Sequence, residues 1–312
     1  MLAIFESILP IFLIIVVGNL LRRTPLLDGA GWLGLEQISY WLLFPVLLVS
    51  TLFHADFSGL QLDAMMIALL AVIFVTAALL LASWPLWRRT GSFTAAEFSS
   101  VFQTALRWNS FVALAVAHSA FPPPAITVVA LVMAVIIVPL NIMSVAVVAR
   151  FGSHQADWPS VLRKTATNPL ILGVVAGLLL RFLPNGLYAP LDEALTLTGE
   201  AAIGMGLLTV GAGLRPSDLL RPRLALWVPV IIKLALLPVL LGGFAYALGV
   251  RGDDLVYLVL CGSVPTATNG YVLARQLGGD AEFYAAVATL QTALAVLTMP
   301  VALAAAAAVG AP

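Results

Sequence analysis

Apolar positions in this chain run in blocks of roughly twenty residues separated by brief polar links, with no sustained alternation of the kind a half-buried strand would give. A helix rising about 1.5 Å per residue needs about 20 apolar residues to cross a hydrocarbon core. Windows near that length fall at 4–21, 35–53, 62–86, 98–120, 125–149, 168–183, 195–214, 224–248, 255–277 and 284–309. The pattern predicts an all-α polytopic membrane protein of ten transmembrane helices with no room for a soluble domain. The first window lacks a basic leading region, carries Glu6 and is followed by Arg22 and Arg23, so it reads as a retained span rather than a signal peptide.

Two blocks break their own pattern. The stretch ALRWNSFVALAVA at 105–117 sets Arg107, Asn109 and Ser110 where lipid-facing residues belong. The stretch VPTATNGYVLARQ at 264–276 does the same with Pro265, Thr266, Thr268, Asn269 and Gly270. Non-helical backbone at membrane depth is tolerated only where it is buried in protein or lines a watered cavity. These interruptions are therefore the first candidates for a site.

Composition strengthens the membrane reading: 62% of residues are hydrophobic, 10% are charged, and mean hydropathy is +1.06. The 15 basic and 15 acidic residues cancel, which gives no basis for a nucleic-acid partner. Position matters more than balance. The odd-numbered links hold Arg22, Arg23, Arg88, Arg89, Arg150, Arg163, Lys164, Arg215, Arg221 and Arg223, with Arg275 beside the last; the even-numbered links hold only Arg181 and Arg251. Lys and Arg are retained on the cytoplasmic side. Both termini are therefore expected outside the cytoplasm, in a multi-pass protein of the cell (inner) membrane. The one cysteine, Cys261, excludes an intrachain disulfide and a thiolate metal cluster. His54, His118 and His154 show no ligand spacing, so neither metal nor cofactor is expected.

The 151–167 link separates five spans (1–150) from five (168–312), and the halves carry a weak repeat. PIFLIIVVGNLLRR from Pro10 lies over PLILGVVAGLLLRF from Pro169, pairing Gly18 with Gly177 and Arg22 with Arg181. WNSFVALA lies over TNGYVLAR, pairing Asn109 with Asn269, and VIIVPL over VLTMPV, pairing Pro139 with Pro300. An odd number of spans per unit makes the second unit enter the membrane upside down, the inverted-topology repeat of secondary transporters. In that architecture the interrupted fourth and ninth helices meet near the midplane. The free amide ends of their half-helices then offer positive partial charge to an anion.

With these motifs in view, the chain resembles the auxin efflux carrier family, whose bacterial members are described as malate or malonate carriers. The resemblance rests on RWNSFVALA, PTATNGYVLA and NPLILGVVAGLLL within ten spans. It implies a crossing of the two interrupted helices with Asn109 and Asn269 beside a carboxylate substrate. It also implies a scaffold of spans one, two, six and seven and a moving unit made of the rest. The chain departs from the plant members in having only a short link after the fifth span, so regulation through a long loop is not expected. The bile-acid sodium symporters share the general fold and supply the main alternative function.

Asn109 and Asn269 read as substrate donors rather than packing residues because of their matched placement. Ser110, Thr266 and Thr268 are held as flanking contributors, and Pro265 and Gly270 as helix-breaking residues. Arg107 has two open readings, a structural pair with a carbonyl end or a carboxylate clamp. Lys233, deep in the eighth span, is expected to form a buried ion pair with Glu200. No GxSxG or HExxH pattern is present, which disfavours an embedded enzyme, and two interruptions at a closed site suit a carrier better than a channel. The expected partners are a small carboxylate and the lipid bilayer; the oligomeric state, homodimer included, stays open.

Overall fold

Helices alone, with no strand, make up the described residues of the computed structural model, which are 2–153, 155–184, 186–219 and 223–310. His154 and Arg221 lie outside them. The first half comprises α1 (Leu2–Arg22), α2 (Gly29–Phe53), α3 (Leu62–Thr90), the consecutive α4 (Ala95–Leu106) and α5 (Ser110–Ala120), and α6 (Pro124–Phe151). A short helix, α7 (Trp158–Ala166), bridges to the second half. There follow α8 (Pro169–Leu180), α9 (Ala189–Gly213), α10 (Leu224–Ala247), the consecutive α11 (Gly252–Ser263) and α12 (Gly270–Leu277), and α13 (Ala281–Gly310).

Seven of these, α1, α2, α3, α6, α9, α10 and α13, are long and apolar enough to cross a membrane. The protein is thus a multi-pass helical membrane protein. The fourth, sixth and ninth sequence windows fall on shorter helices: α4 and α5 of 12 and 11 residues, α8 of 12, and α11 and α12 of 12 and 8.

Local chemistry explains where the helices start. Thr94 and Glu97 form a reciprocal capping box at α4, each satisfying the other's main-chain N–H. Asp28 accepts from the Gly31 N–H at 2.7 Å to start α2, and Asn168 accepts from the Leu170 N–H at 2.9 Å to start α8. Helices α2 and α10 each carry one π turn, Ser39–Leu43 and Ile232–Leu236.

Packing divides the helices into two groups. Helix α1 lies against α9, and α2 lies against both α8 and α9. Small residues make these seams close: a Cβ on Gly211 would stand 1.9 Å from the Ile15 carbonyl oxygen, and one on Gly173 would stand 2.7 Å from that of Pro45. Helix interfaces in lipid depend on such backbone approach, because apolar contact with a neighbour gains little over contact with lipid. The second group joins α3, α4, α5 and α6 to α10, α11, α12 and α13.

Candidate functional site

The two polar interruptions touch. Residues 107–109 separate α4 from α5, residues 264–269 separate α11 from α12, and the Asn109 main-chain N–H donates to the Pro265 carbonyl at 2.7 Å. Pro265 lies in the non-helical stretch after α11, so its carbonyl has no helical N–H to accept and is free to take this donor. Gln291, fully buried on α13, ties the same region together. Its Oε1 accepts from the Thr266 N–H at 2.9 Å, and its Nε2 donates to the Thr104 and Pro229 carbonyls, both at 3.1 Å.

A cavity of about 470 Å³ opens beside this contact. Its floor holds Arg107, Asn109, Ser110, Thr268 and Asn269, and it extends past Tyr40, Asn141 and Asn168 to the exposed Glu36, Lys164 and Gln276. It lies between the helix groups, with Tyr40, Asn168 and Leu170 on the α2 and α8 side. On another side it meets an aromatic stack, the buried Phe44 of α2 against the half-buried Phe111 of α5, with ring centroids 4.0 Å apart.

Asn109 caps α5: its Oδ1 accepts from the main-chain N–H groups of Phe111 and Val112 at 3.1 and 3.2 Å. Its oxygen is therefore committed to the helix, and only its amide N–H groups are free to meet a ligand. Asn269 makes no such cap; its Oδ1 accepts from Arg107 Nη2 at 3.2 Å. Arg107 spans the floor, since Nη1 donates to Asn141 Oδ1 at 3.3 Å while Nε is buried without a partner. Of the two readings left open for Arg107, no pair with a carbonyl end forms among the described residues; the guanidinium rests on two side-chain amides in the cavity wall.

Two expected residues fall elsewhere. Thr266 is fully buried and is not part of the cavity wall; its hydroxyl lies 3.2 Å from that of Tyr284 and its N–H belongs to Gln291. Gly270 opens α12, and its missing side chain makes room for Tyr284, because a Cβ there would stand 2.2 Å from the tyrosine oxygen. The expected ion pair does not form. Glu200 is on an exposed face of α9, whereas Lys233 is 1% exposed in the π turn of α10, and the described ion pairs are His54–Asp192, Arg215–Glu282 and Arg223–Glu97. Similar depth along two helices says nothing about which faces meet. Asn141, Asn168, Lys164, Glu36 and Gln291 were not singled out by the sequence reading. Asn141 and Gln291 carry a signal in that each is a lone amide inside a long apolar helix.

Fold and cavity together define a multi-pass membrane protein with a polar pocket between two helix groups. Residues 157–303 match the family model described as "Membrane transport protein". Over 143 residues the chain is 33% identical to a protein of Rhizobium meliloti (strain 1021) named "Putative malonate transporter". That match covers 45% of this chain and 44% of the relative, so less than half the relative's length is spanned. Both findings bear out the resemblance to the auxin efflux carrier family and support a membrane transporter, not an enzyme.

Proposed function

We propose that the protein is a secondary carrier of small organic anions, with the carboxylate held at the crossing of two broken helices and moved by alternating access. The observation that carries this reading is the convergence of Arg107, the free Asn109 amide and the N-terminal ends of α5 and α12 on one cavity floor. Each helix N-terminus contributes about half a positive charge, and the guanidinium adds a whole one. A floor so charged suits a mono- or dicarboxylate, and malonate, in the relative's name, is the first to try.

In this reading residues 1–150 and 168–312 are inverted five-helix repeats joined by a cytoplasmic link at 151–167. Two pairs of contacts support it: an offset of 159 residues exchanges both members of the first pair and matches the acceptors of the second, though not its donors. Gly18 approaches the Leu208 backbone as Gly177 approaches that of Val49. Asn19 Nδ2 donates to the Gly211 and Leu214 carbonyls, both at 3.0 Å, while Arg181 Nη1 donates to those of Leu52 and Ala55, residues 159 earlier. Helices α1, α2, α8 and α9 act as the scaffold, and the remainder moves. With both termini outside the inner membrane, the cavity mouth at Lys164 and Gln276 faces the cytoplasm.

The test is uptake of labelled malonate, malate and monocarboxylates into proteoliposomes holding the purified protein. Saturable uptake, competed by unlabelled anion, is expected. A protein that binds and moves none of them would overturn the reading.

A further inference from the structure

Lys233 has no role in the cavity, yet its position is unusual for an ammonium group. It is 1% exposed, joins none of the ion pairs among the described residues, and belongs to the π turn that packs against α4 and α11. A void of about 10 Å³ beside it is bounded by Leu106 and Trp108 at the end of α4 and by Cys261 and Gly262 at the end of α11. The Cys261 thiol is turned to the Tyr257 carbonyl at 3.3 Å, so it supplies no counter-charge. The void has room for about one water and none for a hydrated ion.

What meets this place is the ends of two helices. Helix α4 stops at Leu106 and α11 at Ser263, and the last turn of any helix leaves its carbonyls without helical partners. The Thr104 carbonyl is taken by Gln291 and the Leu260 carbonyl by the Ser263 hydroxyl, whereas those of Leu106 and Gly262 accept no loop or cap N–H among the described residues. A helix C-terminus carries about half a negative charge, so two ends amount to about one. One ammonium group balances them.

We propose that Lys233 is a built-in counter-ion for the two helix C-termini, standing where a mobile cation would otherwise be needed, so that anion binding on the opposite side of the contact requires no sodium. The inference rests on the carrier reading. It assigns Lys233 as a positioning residue: without its charge, two negative helix ends lie directly behind the anion site, and affinity falls.

The experiment measures malonate binding by calorimetry, and uptake into proteoliposomes, in sodium chloride and in choline chloride. Parent protein is expected to give the same values in both salts. Lys233→Met, nearly equal in volume, should bind at least tenfold more weakly. Lys233→Ala, which enlarges the void, should regain part of its lost binding when sodium replaces choline, an effect that a packing defect alone would not produce. Parent binding that needs sodium, or a Lys233→Met protein that matches the parent in both salts, overturns the inference while leaving the carrier reading in place. A parent that binds no organic anion in either salt removes the carrier reading and this inference with it.

Discussion

The main-chain N–H of Asn109 donates to the carbonyl of Pro265 across 2.7 Å, joining residues that are 156 positions apart and that each interrupt a run of apolar helix. Neither interruption is satisfied alone. Each supplies a group that the other lacks, and the polar floor of the cavity is built around that single contact.

The capping role of Asn109 separates stability from binding. Asn109→Ala removes the cap of α5 and should cost about 1 kcal/mol while also weakening anion binding. Asn109→Asp keeps an accepting oxygen for the Phe111 and Val112 N–H groups and adds negative charge to the floor. It should unfold at nearly the parent temperature in detergent and bind no carboxylate. An aspartate variant that binds like the parent would remove Asn109 from the site.

Arg107 reaches Asn141 with one guanidinium nitrogen and Asn269 with the other. A lysine has a point charge and cannot hold both amides in that planar fork. Arg107→Lys should therefore lose carboxylate binding nearly as fully as Arg107→Ala, by roughly tenfold or more at about 1.4 kcal/mol per tenfold. Calorimetric titration of both variants with malonate decides, and a lysine variant at parent affinity would show that charge alone suffices.

Gln291→Leu strips partners from the Thr266 N–H and from the Thr104 and Pro229 carbonyls, all buried. Each orphaned group costs about 1 to 3 kcal/mol, so this substitution should be among the most destabilising in the protein. Thermal unfolding in detergent measures it. A loss below about 1 kcal/mol would mean that these groups find other partners.

Since Glu200 faces outward and Lys233 is enclosed, Glu200→Gln should change stability by no more than about 0.5 kcal/mol. Its effect should also add to that of Lys233→Met, as expected for sites that share no partner. A double-mutant cycle showing coupling above about 0.5 kcal/mol would restore the ion pair.

Orientation is open to labelling. Single cysteines at the exposed Ser153 and Ser58, in a Cys261→Ala background, should react from the cytoplasmic and external sides respectively. Ser58 is the better external position because its neighbour Gly59 sits at φ +78°, which a cysteine would strain. External labelling at 153 with protection at 58 would reverse the assigned topology.

Seven of the ten expected spans and the residues of the cavity floor were legible because each leaves a mark along the chain. Long apolar runs mark helices such as α3 and α13, and Arg107, Asn109, Thr268 and Asn269 stand out against such a background. The walls were not legible. Lys164 counts in the sequence as one more basic residue of a link, and only the folding of α7 over the cavity mouth gives it a second role. Thr266 and Thr268 look alike in PTATN, and one turn of irregular backbone sends the first to Tyr284 and the second to the cavity. The Glu200 and Lys233 expectation failed for a related reason: depth can be counted along a helix, but rotation about its axis depends on the neighbours.

A cavity open as far as Arg107, and bounded by the stacked rings of Phe44 and Phe111, also shapes the electric field once water fills it. Water and ions in the open part hold it near the potential of the compartment it faces, so the voltage across the bilayer falls mostly over the sealed remainder. Moving one elementary charge through the full drop costs or yields about 2.3 kcal/mol per 100 mV. If the chain carries an anion as proposed, an anion resting on the floor would have met little of that voltage, and most of the electrical work would fall on the step that opens the sealed side.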